Sequence, residues 1–266
     1  MLIDAPPNKA VNQFINRYAE FQNINKNIAS TIITQAIKHY KATKAKPVEH
    51  SGYLHNLELR WYEALDKGTI DWGIYDDDYY FTDLWVCWVL FSRQYFKILK
   101  NNMTVASHLT NIKNIIDLGC GIAYTTATLK EFFPHCKVYG TNLPDTKQFE
   151  FCKRMSDFYK FDILTSPQEV GHDIDLVVAS EYFEHFEDPI KELDNVIESV
   201  NPKYLFIANS FNTYSLGHFF THTFEGKEIS AKKMGKIFND KLRNEYGFKQ
   251  VDANIWNNKP SFWVKQ

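Results

Sequence analysis

The stretch Glu181-Tyr182-Phe183-Glu184-His185 places two carboxylates and an imidazole at positions i, i+3 and i+4. On a helix these three would share one face. Carboxylates that close repel unless a positive charge lies between them. Hard oxygen donors joined by imidazole suit Mg²⁺, Mn²⁺ or a related ion. A second histidine-bearing stretch follows at Leu216-Gly217-His218-Phe219-Phe220-Thr221-His222-Thr223-Phe224-Glu225. Upstream, Ile115-Ile116-Asp117-Leu118-Gly119-Cys120-Gly121-Ile122-Ala123-Tyr124 runs from apolar residues into glycines and then into helix-compatible sequence through Lys130. Glycine lacks the Cβ that would keep a ligand off the backbone, and the helix that follows presents unpaired N–H groups and the positive end of its dipole. A strand, a glycine turn and a helix in that order suit a nucleotide.

Elements that would position these groups can be read on either side. Lys137 to Pro144 reads as a second strand. It ends about 20 residues past the glycines, where a ribose-binding side chain belongs, at Asn142 with Asp145 nearby. Asn142 can donate to and accept from a ribose hydroxyl without carrying charge. Tyr159 to Leu164 reads as a third strand. Ile174 to Ser180 is a nearly continuous apolar run, as in a strand buried on both faces of a parallel sheet. Ser180 ends that strand, at the carboxyl edge where such sheets hold ligands. Tyr204 to Asn209 is a fifth strand, Lys232 to Tyr246 a helix stopped by Gly247, and Phe248–Trp256 with Ser261–Gln266 a terminal hairpin.

The Asp117-x-Gly119-x-Gly121-x-Ala123 spacing resembles the first motif of class I S-adenosylmethionine-dependent methyltransferases, which carry glycine where Ala123 stands. The strand ending in Ser180-Glu181, followed by Glu184-His185 and Asp188-Pro189, is similar to that family's fourth-strand motif. The resemblance covers about residues 101–266. It implies an α/β fold: a doubly wound, seven-stranded, mostly parallel Rossmann-like sheet. It also implies S-adenosylmethionine as cofactor, with Asp117, Gly119, Gly121, Asn142, Asp162 and Ser180 as its binding residues. Asp162 falls where the family often meets the adenine amine, and Asn142 where it usually has Asp or Glu. ExxEH with the later His222-x-Phe224-Glu225 resembles the metal site of small-RNA 3′-terminal 2′-O-methyltransferases. By position this implies Glu181, Glu184, His185 and His222 as metal ligands, with His218 as the alternate fourth. Gly226 stands where those enzymes tend to have Trp. ExxEH alone also resembles the ubiquinone-biosynthesis O-methyltransferases, whose acceptors are catechol-like. Glu181 and His185 are the expected catalytic residues, and His185 or His222 takes the acceptor proton if it is not bound to metal.

Composition narrows the classes. The 266 residues suit one domain with a sizeable addition, or two small ones. A formal charge of −2 argues against tight binding to long nucleic acid, although a terminal nucleotide or a small molecule remains a suitable acceptor. Lys38 to Lys46 and Lys227 to Lys241 read as solvated surfaces. Cys87, Cys120, Cys136 and Cys152 lack CxxC spacing and read as reduced thiols of a cytoplasmic protein. No apolar run reaches membrane-spanning length, and the start has no basic, apolar leader pattern.

Residues 1–100 are expected to form a helical cap that selects substrate, and 101–266 the cofactor-binding domain, with the boundary near Asn101-Asn102. Apolar steps of three and four from Phe14 to Ile37 predict helices, as does Leu54 to Leu65. Asp76-Asp77-Asp78 lacks calcium-loop spacing and reads as a turn or helix start. Trp85 to Leu99 reads as an aromatic helix packed on the sheet, or as a lid over the cofactor. The expected function is metal-assisted O-methylation of a vicinal diol on a ribose terminus, polyol or catechol. The alternatives are a metal-free small-molecule N- or O-methyltransferase and a non-catalytic binding protein. Amino-methylating DNA enzymes are disfavoured, because Ser180-Glu181-Tyr182-Phe183 replaces their tetrapeptide; cytosine-C5 enzymes are too, because no Cys follows Pro.

Overall fold

Five short apolar runs become the parallel strands of one sheet, and the residue that ends each is where the chain turns toward the site. The computed structural model describes residues 7–43, 52–77, 86–213, 215–252 and 260–266. The first part is helical: α1 (Pro7–Gln22), α2 (Lys26–Thr43), α3 (Gly52–Asp66), a 3-10 turn at Trp72–Asp76, then α4 (Val86–Phe96), α5 (Ile98–Asn101) and α6 (Met103–His108). Strands and helices then alternate as β1 (Asn114–Leu118), α7 (Tyr124–Phe132), β2 (Lys137–Thr141), α8 (Lys147–Tyr159), β3 (Asp162–Leu164), β4 (Leu176–Ser180), α9 (Pro189–Val200) and β5 (Tyr204–Ala208). The chain closes with β6 (Thr221–Phe224), β7 (Lys227–Ser230), α10 (Ala231–Asn244), β8 (Phe248–Val251) and β9 (Ser261–Lys265).

The seven-stranded sheet runs β3-β2-β1-β4-β5-β9-β8, with β9 antiparallel to both of its neighbours and the other pairs parallel. This is the doubly wound, mostly parallel fold expected from the sequence. Strand order reverses between β1 and β4, the position where open α/β sheets hold ligands. Leu118 pairs with Ala179 there. The register therefore brings the glycine turn after β1 and the ExxEH segment after β4 to the same crevice.

Most expected element boundaries shift by a few residues, while the third strand shrinks to Asp162–Leu164. The β6–β7 hairpin went unread; it is closed by Glu225-Gly226, both at positive φ (50° and 71°), as a two-residue hairpin turn requires. Trp85 lies outside the described residues, as do the side chains of Trp88 and Phe91 and most of the loop expected in the terminal hairpin. Among the described residues, no helix is long and apolar enough to cross a membrane.

One face of the sheet is covered by α7 and α8 together with α1, α2 and α4, in a core that holds Phe14, Ile33, Phe96, Phe151 and Phe206. The other face is covered by α9 and α10, through Leu193, Val196, Val200, Met234, Phe238 and Leu242. The steps of three and four along α9 place its apolar residues on one stripe. Asp188 caps that helix by accepting from the Lys191 N–H at 2.9 Å, and Pro189 occupies its first turn. A smaller core (Leu57, Trp61, Ile74, Leu216 and Phe219) joins α3 and the 3-10 turn to the loop before β6.

Asp175 ties the amino ends of the central strands. Its Oδ2 accepts from the Lys113 and Asn114 N–H groups at 2.7 and 3.0 Å, and its Oδ1 meets Lys203 Nζ at 2.7 Å. Its own main chain bonds Asn114 and Tyr204. Burial pushes this carboxyl up, but Lys203 and the two N–H groups outweigh burial and hold it below the usual range. Its contribution is therefore complete at neutral pH and disappears as pH falls through the carboxylate range. Asp175→Ala is expected to lower the unfolding free energy by about 2–4 kcal/mol in urea denaturation. A loss below about 1 kcal/mol would mean that water replaces the carboxylate at these strand ends.

Candidate active site

Gly119, Gly121 and Ala123 all have positive φ, at 61°, 57° and 59°. The third small position of the motif thus asks for the same left-handed backbone as the two glycines, and Ala123 meets it as the residue that caps α7. The turn is tied to the end of β2: the Gly119 N–H donates to Thr141 Oγ1 at 3.1 Å and the Cys120 N–H to the Thr141 carbonyl at 2.9 Å. A Cβ on Gly119 would lie 2.7 Å from Tyr182 Cδ2, so the tyrosine ring rests directly on the turn. The Tyr182 hydroxyl donates to Glu192 on α9 at 2.7 Å.

Asp117 is buried at 2% exposure, and its Oδ2 accepts from the hydroxyls of Thr125 and Thr126 at 2.6 and 2.7 Å. It braces the first turn of α7 from below the glycines. Burial raises its carboxyl to about 6, against the lowering effect of the two hydroxyls. A raised carboxyl costs stability where the native state must ionise it, so the cofactor-free protein loses stability as pH rises from about 4 to about 6. Asp117→Asn keeps an acceptor for the threonines without the charge. It is expected to exceed the parent protein in stability by on the order of 2–3 kcal/mol at pH 7, at about 1.4 kcal/mol per pK unit, and to match it near pH 4. Equal denaturation curves at both pH values would count against a buried charge here.

Asn142 follows β2 as expected. Its Nδ2 donates to the Gly121 carbonyl at 2.5 Å and its Oδ1 accepts from the Leu143 N–H at 2.8 Å, which joins the glycine turn to the β2 loop. Ser180 ends β4, and its Oγ lies 2.8 Å from the buried Tyr95 hydroxyl on α4. Asp162 is a correction. It opens β3 rather than ending it, is exposed, and reaches back to Lys137 Nζ at 3.4 Å, at the start of β2. That placement points it away from the carboxyl ends of the strands and removes it from the adenine position.

Glu181 and Glu184 converge without a helix, a second correction. Glu181 has φ 53°, and its N–H donates to the Ala208 carbonyl at 2.7 Å, which clamps the segment to the end of β5. Glu184 and His185 lie in a 3-10 turn, Phe183–His185. Ser210, just past β5, serves both acids: its N–H donates to Glu184 Oε1 at 2.6 Å and its Oγ to Glu181 Oε1 at 3.2 Å. Glu184 is 1% exposed, and its Oε2 is buried with no hydrogen-bond donor among the described residues. Burial first, and then the Glu181 charge, push Glu184 well above the usual carboxylate range.

His218 completes this group: Glu181, Glu184 and His218 offer ligand atoms that all lie within 4.8 Å of one another. The alternate histidine of the sequence reading thus stands closer to the carboxylates than the preferred His222. The three imidazoles share one device. Nδ1 of His185 lies 3.1 Å from the Gly217 carbonyl, that of His218 2.9 Å from Thr213, and that of His222 2.9 Å from Phe186. A carbonyl only accepts, so each Nδ1 carries the proton and each Nε2 keeps its lone pair, as in histidines that bind metal. Nε2 of His222 is buried without a partner among the described residues. Burial lowers all three imidazoles; His185 falls to about 3, with the charge of His218 adding to the effect.

Sequence reasoning missed the residues that hold this geometry. The Tyr75 hydroxyl lies 2.9 Å from His185 Nδ1, Trp61 Nε1 donates to the His218 carbonyl at 2.9 Å, and the Tyr62 hydroxyl donates to the Ser215 carbonyl at 3.1 Å. One signal was available: Gly217 precedes His218, and it has φ 82°. A Cβ at Gly217 would collide with the Tyr75 hydroxyl and approach His185 Nδ1 to 2.8 Å. Gly217→Ala is therefore expected to lower the unfolding free energy by about 1–3 kcal/mol through backbone strain and displacement of both groups. A denaturation curve that matches the parent protein's would show that this packing is slack.

Residues 91–245 match the family model described as a methyltransferase domain. The chain belongs to that family. It is a class I S-adenosylmethionine-dependent methyltransferase, an enzyme, as the fold and the glycine motif led us to expect. No curated protein matches it. Among solved structures it is similar to the plantazolicin methyltransferase BpumL, in complex with a pentazolic desmethylPZN analog and SAH, at 11% identity over 82% of this chain and 100% of that one, with a TM-score of 0.51. It also matches the magnesium protoporphyrin IX methyltransferase ChlM from Synechocystis PCC 6803 with bound SAM, at 14% identity over 78% and 90% of the two chains and a TM-score of 0.41. The O-methyltransferase segment of StiE matches at 21% identity over 42% of this chain, with a TM-score of 0.34; the present chain spans 42% of that segment.

Proposed function

We propose that this methyltransferase transfers the methyl group to a hydroxyl of a vicinal diol, assisted by a divalent cation. The observation that carries the reading is the Glu184 carboxyl: raised by burial and then by the charge of Glu181 beside it, and left with an oxygen that no donor among the described residues reaches. A cation between the two acids would remove their repulsion and satisfy that oxygen, and the bare Nε2 of His218 supplies a nitrogen of the right kind. Glu181, Glu184 and His218 would hold the ion, with His185 or His222 adding a further ligand. Two carboxylates with imidazole suit Mg²⁺ or Mn²⁺. When bound, such an ion supplies Lewis acidity that makes a hydroxyl a better nucleophile near neutral pH.

The chain's own residues do the rest. The turn Gly119–Ala123, Asn142 and Ser180 flank the crevice between β1 and β4 and would hold S-adenosylmethionine, with Asp117 shaping the turn from below. Methyl transfer is an in-line displacement at the sulfonium methyl, so the main task is to place the acceptor oxygen behind that methyl. Whichever of His185 and His222 is not a ligand offers its Nε2 to the acceptor proton, since its Nδ1–H is already committed to a main-chain carbonyl. Residues 1–100 act as the acceptor-selecting cap, which supplies Tyr75 and Trp61 to the two imidazoles.

Mn²⁺ titrated calorimetrically into protein saturated with S-adenosylhomocysteine is expected to fill one site. Glu181→Ala and Glu184→Ala should each weaken it by more than the ~10–100-fold typical of an outer-shell partner, and abolish turnover, with S-adenosylhomocysteine affinity retained. His218→Ala should weaken it more than His222→Ala. Turnover that survives thorough chelation, with no Mn²⁺ heat, would instead leave a metal-free transferase with a histidine base.

A further inference from the structure

Trp72 and Phe220 are large aromatic side chains that remain exposed beside the histidine loop, at 40% and 50%. Phe220 stacks on Tyr62 at 4.4 Å. Trp72 is the better supported. Asp71 accepts from the Gly73 N–H at 3.0 Å and pairs with Arg60 at 2.8 Å, which fixes the start of the 3-10 turn. The indole lies 6.0 Å from the Trp61 ring and stacks near-parallel on Tyr75 at 6.1 Å. The far end of the turn is held on α8, where the Asp76 carboxylate accepts from the Lys147 N–H at 2.6 Å and the Tyr75 carbonyl from Gln148 Nε2 at 2.7 Å. Holding a ring still in solvent brings folding little; it lowers the ordering cost for whatever stacks on that ring.

The support leads inward as well. From Trp72 the rings run to Tyr75 at 6.1 Å, from Tyr75 to His185 at 6.2 Å, and from His185 to His218 at 4.7 Å. Exposure falls along the way, from 40% at Trp72 to 5% at His218, which meets the two carboxylates. A ladder of rings therefore connects the acid pair to solvent and ends on an indole packed against Trp61 and Tyr75. A simple polyol has nothing to place on such a surface, whereas a planar group has a π face that does.

We propose that Trp72 is an acceptor-specificity residue, the stacking surface for a planar ring that the methyl acceptor carries outward from the diol held at Glu181 and Glu184. The proposal rests on the diol reading above. It excludes bare polyols as the preferred acceptor, and it places a determinant of acceptor choice outside the segment that matches the family model.

The test uses the full chain saturated with S-adenosylhomocysteine and Mn²⁺. 2,3-Dihydroxynaphthalene and trans-1,2-cyclohexanediol are titrated as matched diols with and without an extended planar ring. The parent protein should prefer the aromatic diol. Trp72→Ala should reduce that preference about tenfold, as expected for loss of one stacking contact, with cyclohexanediol affinity unchanged. Trp72→Phe should retain most of the preference. An undiminished preference in Trp72→Ala overturns the proposal and leaves the diol reading standing. Failure of both diols to bind a complex that takes up S-adenosylhomocysteine and Mn²⁺ overturns the diol reading and this proposal with it. If Trp72→Ala loses S-adenosylhomocysteine binding, Trp72→Leu, which keeps apolar bulk without a π face, decides in its place by the same ratio.

Discussion

A buried carboxylic acid and a half-buried one side by side repel whenever both ionise, and the arrangement around Glu184 and Glu181 answers to that constraint. Leaving them there costs free energy that the packing must offset. Glu181 also adopts a left-handed backbone, of order 1–3 kcal/mol for a residue with a Cβ. The segment holds because its main chain is clamped to the end of β5 and because Ser210 donates to both acids from the same edge. The neighbouring imidazoles add no fixed charge, since burial keeps all three neutral while carbonyls orient them. A divalent cation between the two acids would relieve that repulsion, and this is the physical argument behind the proposed metal site.

The crevice is equally dependent on β1 and β4 being neighbours. Each strand ends in a backbone turn of positive φ, at Gly119 and at Glu181, so the chain leaves the sheet sharply on both sides of the switch point. Tyr182 spans the gap, its ring on Gly119 and its hydroxyl on α9. Asn142 and Thr141 hold the glycine turn from the β2 side. Cofactor loop and acid segment are therefore built as one object, although 60 positions of chain, carrying β2, β3, β4 and the helices between them, lie between Gly121 and Glu181.

Much of this could be read in the sequence because it depends on local rules. Apolar runs ending in glycine or Ser180-Glu181 mark strand ends, and α9 announces itself by Asp188-Pro189 and its apolar stripe. The ExxEH spacing picked out two acids that do come together, but not on the helical face expected: strand ends and Ser210 bring them together. Asp162 was misplaced because its strand begins three residues later than its apolar pattern suggests, so the residue opens the strand. Tyr75 and Trp61 were illegible, since their roles depend on contacts across 110 and 157 positions of chain. That His218, rather than His222, stands beside the two acids likewise depends on how the loop before β6 folds against α3, which spacing alone does not encode.

The helices α1 and α2 lie outside the stretch that matches the family model, yet Phe14 is fully buried, with its ring 5.5 Å from Tyr124 and 6.1 Å from Phe151. The border between recognisable and unrecognisable sequence therefore runs through the middle of one hydrophobic core. A chain trimmed to its recognisable part would lay bare the apolar side of α7 and α8 and invite aggregation. It would also lack the side chain that faces His185. For this enzyme, the unit that can be expressed, exchanged between relatives or fused to a partner is set by packing, and it begins well before the unit that sequence similarity outlines.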